Sequence, residues 1–201
     1  VESIMRGEYV RAIQCIAFGG HHATRRHVGR SFGFCYFNHE GVAMRYLQRI
    51  GLAKRFFVLD CDAHHGNGIQ DIFYDDPTVL YMSLHQDPLT LYPGTGFVHE
   101  VGSGKGEGYN VNVPLPPGTT NQSYIRALKE VFVPLFKEYK PDMLVYLLGA
   151  DTYFADPLTM LKLTLSCYSE APKLVVDCAN EVCGGRVFTI LAGGYHVDAA
   201  A

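Results

Sequence analysis

Asp60-Cys61-Asp62-Ala63-His64 places two carboxylates and an imidazole at alternate positions. In an extended chain alternate side chains project to one side, so Asp60, Asp62 and His64 would share a face. One oxygen and one nitrogen donor so spaced can grip a divalent metal, while the third group, one pleat away, orients a neighbour. A lone aspartate at a strand end is ordinarily a turn former or a helix cap. Three such groups followed by His65 and Gly66-Asn67-Gly68 point instead to a built site. A catalytic metal also needs a third protein ligand and an open position. Asp151, after the very apolar run 143–148, is the best candidate, because an unpaired carboxylate there would be costly to bury. Asp156 competes for that role, but it precedes Pro157 and reads as a turn or the start of the next helix.

His21 and His22 follow a double glycine, and imidazole suits both taking and giving a proton near neutrality. A ligand role for one of them, or satisfied core positions for both, stays open on the pair alone. Asp60 and Asn67 could each fix one ring's tautomer, and unequal partners imply unequal roles. Tyr195, after Gly193-Gly194, could be a core tyrosine. Its two flexible glycines also suit a phenol that swings onto a polarised carbonyl oxygen.

These residues sit at the ends of short apolar runs at 12–18, 56–59, 79–84, 143–148 and 187–191, which suit strands buried on both faces. Segments 40–50, 122–139 and 159–183 carry helical spacing and are long enough for crossover helices. That alternation predicts an open, mostly parallel α/β sheet with helices on both faces. Segment 87–118, dense in glycine and proline, reads as long loops around a short strand at 109–113. Ligands of open α/β sheets bind beyond the carboxyl ends of the strands. The polar tips at His21-His22, Asp60 to His65, Ser83-Leu84-His85, Asp151 and Tyr195 would therefore face one crevice.

The chain has 201 residues, 48% hydrophobic and 18% charged, enough for the core of one globular domain. A formal net charge of -3 gives no basic surplus for phosphate backbones, so direct nucleic-acid binding is not expected. No run of about 18 apolar residues offers a membrane span. Six cysteines without a CxxC pair read as reduced and mostly buried, which suits an intracellular, cytoplasmic protein with the nucleus as the alternative. The chain starts at Val1 and stops soon after the Gly-Gly-Tyr segment, so a single domain over 1–201, truncated at both ends, is expected. On that expectation the isolated chain would be poorly soluble or weakly active.

GGHHA at 19–23, SFGFCYFN at 31–38, DCDAHHGNG at 60–68, SLH at 83–85, YPGTG at 92–96, GADTYFADP at 149–157 and LAGGY at 191–195 occur in this order. In these motifs the chain resembles the histone deacetylase family of the arginase/deacetylase superfamily. That grouping includes bacterial and archaeal deacetylase-like proteins and acetylpolyamine amidohydrolases. The resemblance implies an arginase/deacetylase-like three-layer fold and one Zn2+ held by Asp62, His64 and Asp151, with Fe2+ as the alternative metal. It implies that His22 is the general base and acid, with His21 its electrostatic partner. Asp60 would orient His21, Asn67 would orient His22 where many relatives have aspartate, and Tyr195 would donate to the carbonyl oxygen. Gly33, Phe34, Tyr92 and Leu158 would line a tunnel for an acyl-lysine side chain. A structural K+ at Asp60, Asp62, His64, Ser83 and Leu84 is a further family property. The implied reaction is hydrolysis of an acetyl or other acyl amide by metal-activated water.

A two-metal, arginase-like hydrolase needs further carboxylates where this chain has His65 and Tyr153. An acetylpolyamine or other small-molecule amidohydrolase is a closer rival. Relatives selective for polyamines can place a glutamate after the Asp-Pro, and Leu158 stands there. A non-catalytic binding module is the third reading; the presence of Tyr195 with all three ligands favours an enzyme.

Overall fold

The structure, a computed structural model, describes residues 1–15, 20–25 and 32–197. Its elements run in chain order as α1 (Glu2–Met5), β1 (Arg11–Gln14), α2 (His39–Arg49), β2 (Phe56–Asp60), α3 (Asn67–Phe73), β3 (Val79–Gln86) and β4 (Asn110–Leu115). They continue as α4 (Asn121–Ala127), α5 (Val133–Tyr139), β5 (Met143–Leu148), α6 (Leu165–Cys183) and β6 (Val187–Leu191). The strands form one sheet in the order β1-β6-β5-β2-β3-β4, and every pairing is parallel.

Because the central strands are covered on both sides, they read as continuous apolar runs, and the pleat sends alternate residues to opposite layers. Phe57, Leu59, Leu80, Met82 and Leu144 face one layer with Leu128, Phe132 and Phe136. Phe56, Val58, Tyr81, Met143 and Val145 face the other, against Met44, Leu47 and Ile69. The expected three-layer α/β architecture is therefore present. All six cysteines are free, and all but Cys15 are buried. Among the described residues no helix is long and apolar enough to cross a membrane.

Several boundaries differ from expectation. The run expected at 12–18 is strand over Arg11–Gln14, and residues 16–19 lie outside the described residues. Ser83-Leu84-His85 is not a strand tip, because β3 continues to Gln86 along β4. The helix expected from 159 begins at Leu165. Residues before it stay extended because their N–H groups are claimed by other segments: Met160 by Gln86 Oε1 (2.7 Å), Lys162 by Thr119 (2.8 Å) and Leu163 by Thr152 (3.2 Å). Helix 122–139 is divided, with a π-helical segment at Leu128–Phe132 between α4 and α5. Pro134 lacks the N–H an unbroken ladder requires.

Glu40, in the first turn of α2, is fully buried, and among the described residues neither carboxylate oxygen has a hydrogen-bond partner. Burial pushes its carboxyl up to about 7. The unfolded chain ionises this group from about pH 4.5 upward while the folded chain does not, so stability present below that pH is lost as pH rises to about 7. The expected loss is about 3 kcal/mol. Glu40→Gln should therefore show a smaller drop in urea midpoint between pH 5 and pH 8 than the parent. Equal drops would show that Glu40 does not titrate in this window.

Candidate active site and metal centre

From β2 the chain proceeds to β3 on one side of the sheet, and from β5 to β6 on the other. The carboxyl ends of β2 and β5 thus open a crevice at the point where the winding reverses. Beyond Asp60 the chain leaves β2, yet the expected alternation persists: Cys61 and Ala63 join Phe57 and Leu59 in one core layer, while Asp60 and Asp62 both approach the His21 ring, at 3.0 and 3.9 Å. Their own side chains turn the loop. Asp60 Oδ1 accepts from the Asp62 N–H (3.2 Å) and Asp62 Oδ1 from the His64 N–H (2.8 Å), an arrangement short carboxylates favour.

The loop brings Asp62 and His64 to Asp151. One ligand atom from each lies within 4.8 Å of the others. His64 Nδ1 is 3.0 Å from Asp62 Oδ1 and 2.8 Å from Asp151 Oδ2. Asp151 Oδ1 accepts from the Ala63 N–H (2.9 Å), and Asp62 Oδ2 from the Gly193 N–H (2.7 Å). Burial and the Asp62 charge push the Asp151 carboxyl up to about 8. Burial opposes charge on His64, but its bonds to Asp151 and Asp62 raise it to about 10. Two buried carboxylates converging on one ring nitrogen thus hold a proton where a divalent cation would satisfy all three groups. Two oxygens and one imidazole suit zinc or iron.

Gly193 is required at this point, since a Cβ there would lie 2.6 Å from Asp151 Oδ2 and 2.7 Å from Asp62 Oδ2. Asp156 is a bridge rather than a helix start or a ligand. It accepts from the Tyr195 N–H (2.9 Å) and from the Leu158 N–H (2.9 Å), tying the phenol's backbone to the next loop. No sequence pattern marked this role.

His21 and His22 are both buried, with ring centroids 4.1 Å apart. His21 Nδ1 donates to Asp60 Oδ2 (3.0 Å), which also accepts from the Tyr81 hydroxyl (3.0 Å). Burial opposes charge on His21, but Asp60 and Asp62 raise it to about 9, so it is an imidazolium at neutral pH. His22 Nδ1 lies 2.7 Å from Asn67 Oδ1. An amide oxygen can only accept, so Nδ1 carries the hydrogen and Nε2 is left with a free lone pair. Burial and the His21 charge push His22 down to about 3, keeping it neutral.

That difference rests on the neutrality of Asn67. Asn67→Asp should favour the protonated ring, raise the His22 pKa and move the acidic limb of kcat/KM to higher pH by about one unit. A limb that stays in place would show that His22 ionisation does not control the rate.

Gly33 and Phe34 have φ of 50° and 61° between the antiparallel pair Phe32 and Cys35, a two-residue turn with both central residues left-handed. A Cβ on Gly33 would lie 2.1 Å from His22 Cδ2, so backbone packs directly on that ring. The turn throws Phe34 outward, and such backbone at a non-glycine residue is characteristic of functional sites. Phe34, Tyr92, Leu158 and Tyr195 are all substantially exposed. The rings form an arc: Phe34 is 6.2 Å from Tyr195, Tyr195 6.4 Å from His64, His64 6.1 Å from His22 and His22 5.2 Å from Tyr92. Burial, then Asp62 and Asp151, push the Tyr195 phenol above its ordinary value, so it remains a donor.

Ser83 and Leu84, expected beside a monovalent cation, lie on β3, with Ser83 opposite Asp60 in the ladder. The Ser83 hydroxyl is 2.8 Å from His85 Nδ1. His65, expected among the polar tips of the crevice, bonds instead to Thr95 and Gln70; the sequence marks neither Gln70 nor Glu100, and α3, which carries Asn67 and Gln70, is not among the expected helices.

The histone deacetylase domain model matches residues 1–201. The chain is 43% identical over 199 residues to a protein of Archaeoglobus fulgidus described as a probable deacetylase, covering 99% of this chain and 54% of that protein. It is 38% identical over 194 residues to the acetoin utilization protein AcuC of Bacillus subtilis, covering 96% of this chain and 49% of the relative. The crystal structure of the HDA15 HD domain superposes with a TM-score of 0.90 at 37% identity, over 99% of this chain and 55% of that one. The chain therefore spans about half the length of these relatives. Over that span it belongs to the histone deacetylase family.

Proposed function

We propose that this protein hydrolyses acyl amides, with acetyl-lysine as the favoured substrate and one zinc ion held by Asp62, His64 and Asp151. The observation that carries the proposal is the meeting of that buried triad with an imidazole whose Nε2 is free and with the Tyr195 ring beside His64. Relatives named as deacetylases support the acyl-amide substrate.

A divalent cation in the triad supplies Lewis-acid polarisation of the scissile carbonyl and of the attacking water. His22 Nε2 accepts the proton from that water as it attacks and passes it to the departing amine nitrogen. Tyr195 donates its phenolic hydrogen to the carbonyl oxygen as negative charge grows there. His21, charged and fixed by Asp60, adds positive potential and keeps His22 neutral until it takes the proton of the attacking water. Gly33, Phe34, Tyr92 and Leu158 line the approach, and the apolar Leu158 offers no charge for a second amine. A K+ beside Asp60 and Ser83 would stiffen the segment bearing Asp62 and His64.

A panel of acetyl-lysine peptide against acetylated polyamines tests the substrate. Preference for the peptide supports this reading. Preference for the polyamine would favour a small acetylated amine.

A further inference from the structure

Between α3 and β4 lies a polar network that the chemistry above does not use. Glu100 closes the loop that starts at Tyr92. Its Oε1 accepts from the Phe97 N–H (3.1 Å), and both its oxygens accept from the Gly96 N–H (3.2 and 3.1 Å). Gln70, one turn into α3 from Asn67, donates Nε2–H to Glu100 Oε2 (2.5 Å). Gln70 Oε1 accepts from Asn110 (2.8 Å), Asn112 (3.0 Å) and His65 Nε2 (3.1 Å). His65 Nδ1 therefore accepts from the Thr95 hydroxyl (2.8 Å), and His85 Nε2 donates to the Gly96 carbonyl (2.9 Å). Each partner in this chain has its donor or acceptor role imposed by the next.

Resting on the proposed acyl-lysine reading, we infer that Gln70 and Glu100 are positioning residues that lock loop 92–100 so that Tyr92 stands against His22 and shapes the substrate approach. Helix α3 makes the link. Its first residue, Asn67, holds His22, and Gln70, three positions on, lies on the same face and holds the loop whose other end carries Tyr92. The Tyr92 ring meets the His22 ring edge-on at 5.2 Å. The loop is tight where it is clamped: a Cβ on Gly96 would lie 2.5 Å from His85 Nε2 and 2.6 Å from His65 Cγ. It cannot slide without breaking the clamp. A charge-assisted bond to two backbone amides and one side-chain amide suits this task, since a carboxylate only accepts.

The roles can be exchanged, which gives the test. Glu100→Gln alone leaves an amide group facing a donor at one end or the other, and Gln70→Glu alone sets two carboxylates in contact. With both changes, the carboxylate at 70 accepts from His65, Asn110, Asn112 and the new amide, whose oxygen accepts from Gly96 and Phe97. Each single variant should raise KM for an acetyl-lysine peptide about tenfold, the size of one lost charge-assisted bond, with kcat changed less than about twofold. Amide hydrogen exchange at Gly96 and Phe97 should quicken in both. The double variant should recover both measures. Additive defects in the double variant, or faster exchange with KM unchanged, would overturn the inference. If the parent hydrolyses no acyl amide, the functional reading fails, and the exchange cycle alone then decides whether the pair locks the loop.

Discussion

Asp151→Ala is expected to remove stoichiometric metal and, with it, amide hydrolysis. Asp151 is fully buried, contributes one of the two carboxylates to the triad and also fixes the ligand loop through the Ala63 N–H. Losing only the hydrogen-bond partner of a metal ligand can cost about a hundredfold in affinity, so losing the ligand itself should cost more. Asp151→Asn separates the two contributions. It keeps an acceptor for Ala63 while removing the charge, so it should fold like the parent and still bind metal far more weakly. Elemental analysis of the purified variants checks this, and full occupancy in Asp151→Ala would remove Asp151 from the ligand set.

Tyr195→Phe is expected to lower kcat by roughly two to three orders of magnitude, the usual effect of losing one oxyanion donor. Metal content should stay at the parent level, because the phenol is not among the three converging donors. KM should change little, since the hydroxyl acts on charge that develops only in the transition state. The backbone that carries the ring stays anchored, with the Tyr195 N–H on Asp156 and the Gly193 N–H on Asp62, so the substitution should not disturb the loop. Steady-state kinetics beside metal analysis gives the answer. An unchanged kcat would assign carbonyl stabilisation elsewhere.

Much of the site was legible because its residues occur where apolar runs stop. Asp151 follows a strand too apolar to tolerate an unpaired carboxylate, and the structure brings it to Asp62 and His64. The unequal partners of His21 and His22, Asp60 and Asn67, are also as expected. Alternation carries past the end of β2, so Cys61 and Ala63 stay in the core layer of Phe57 and Leu59 while Asp62 and His64 gather at the site with Asp60, although side-chain hydrogen bonds to the backbone have by then bent the chain. Residues that act by accepting hydrogen bonds from distant backbone left no local signal. Asp156 reads as a turn before a proline, yet it ties down the Tyr195 backbone, which only the fold brings near. Helical spacing over 40–50 carries no sign that Glu40 is buried, whereas α2 packs its first turn inward beside Gly20.

Titration of metal-free protein with zinc, measuring bound metal and acetyl-lysine hydrolysis in the same samples, tests the central claim most directly. The account predicts no hydrolysis without metal and a rate that climbs in proportion to bound zinc and levels at one equivalent. Hydrolysis by metal-free protein, or a rate that appears only with a second bound ion, would contradict it.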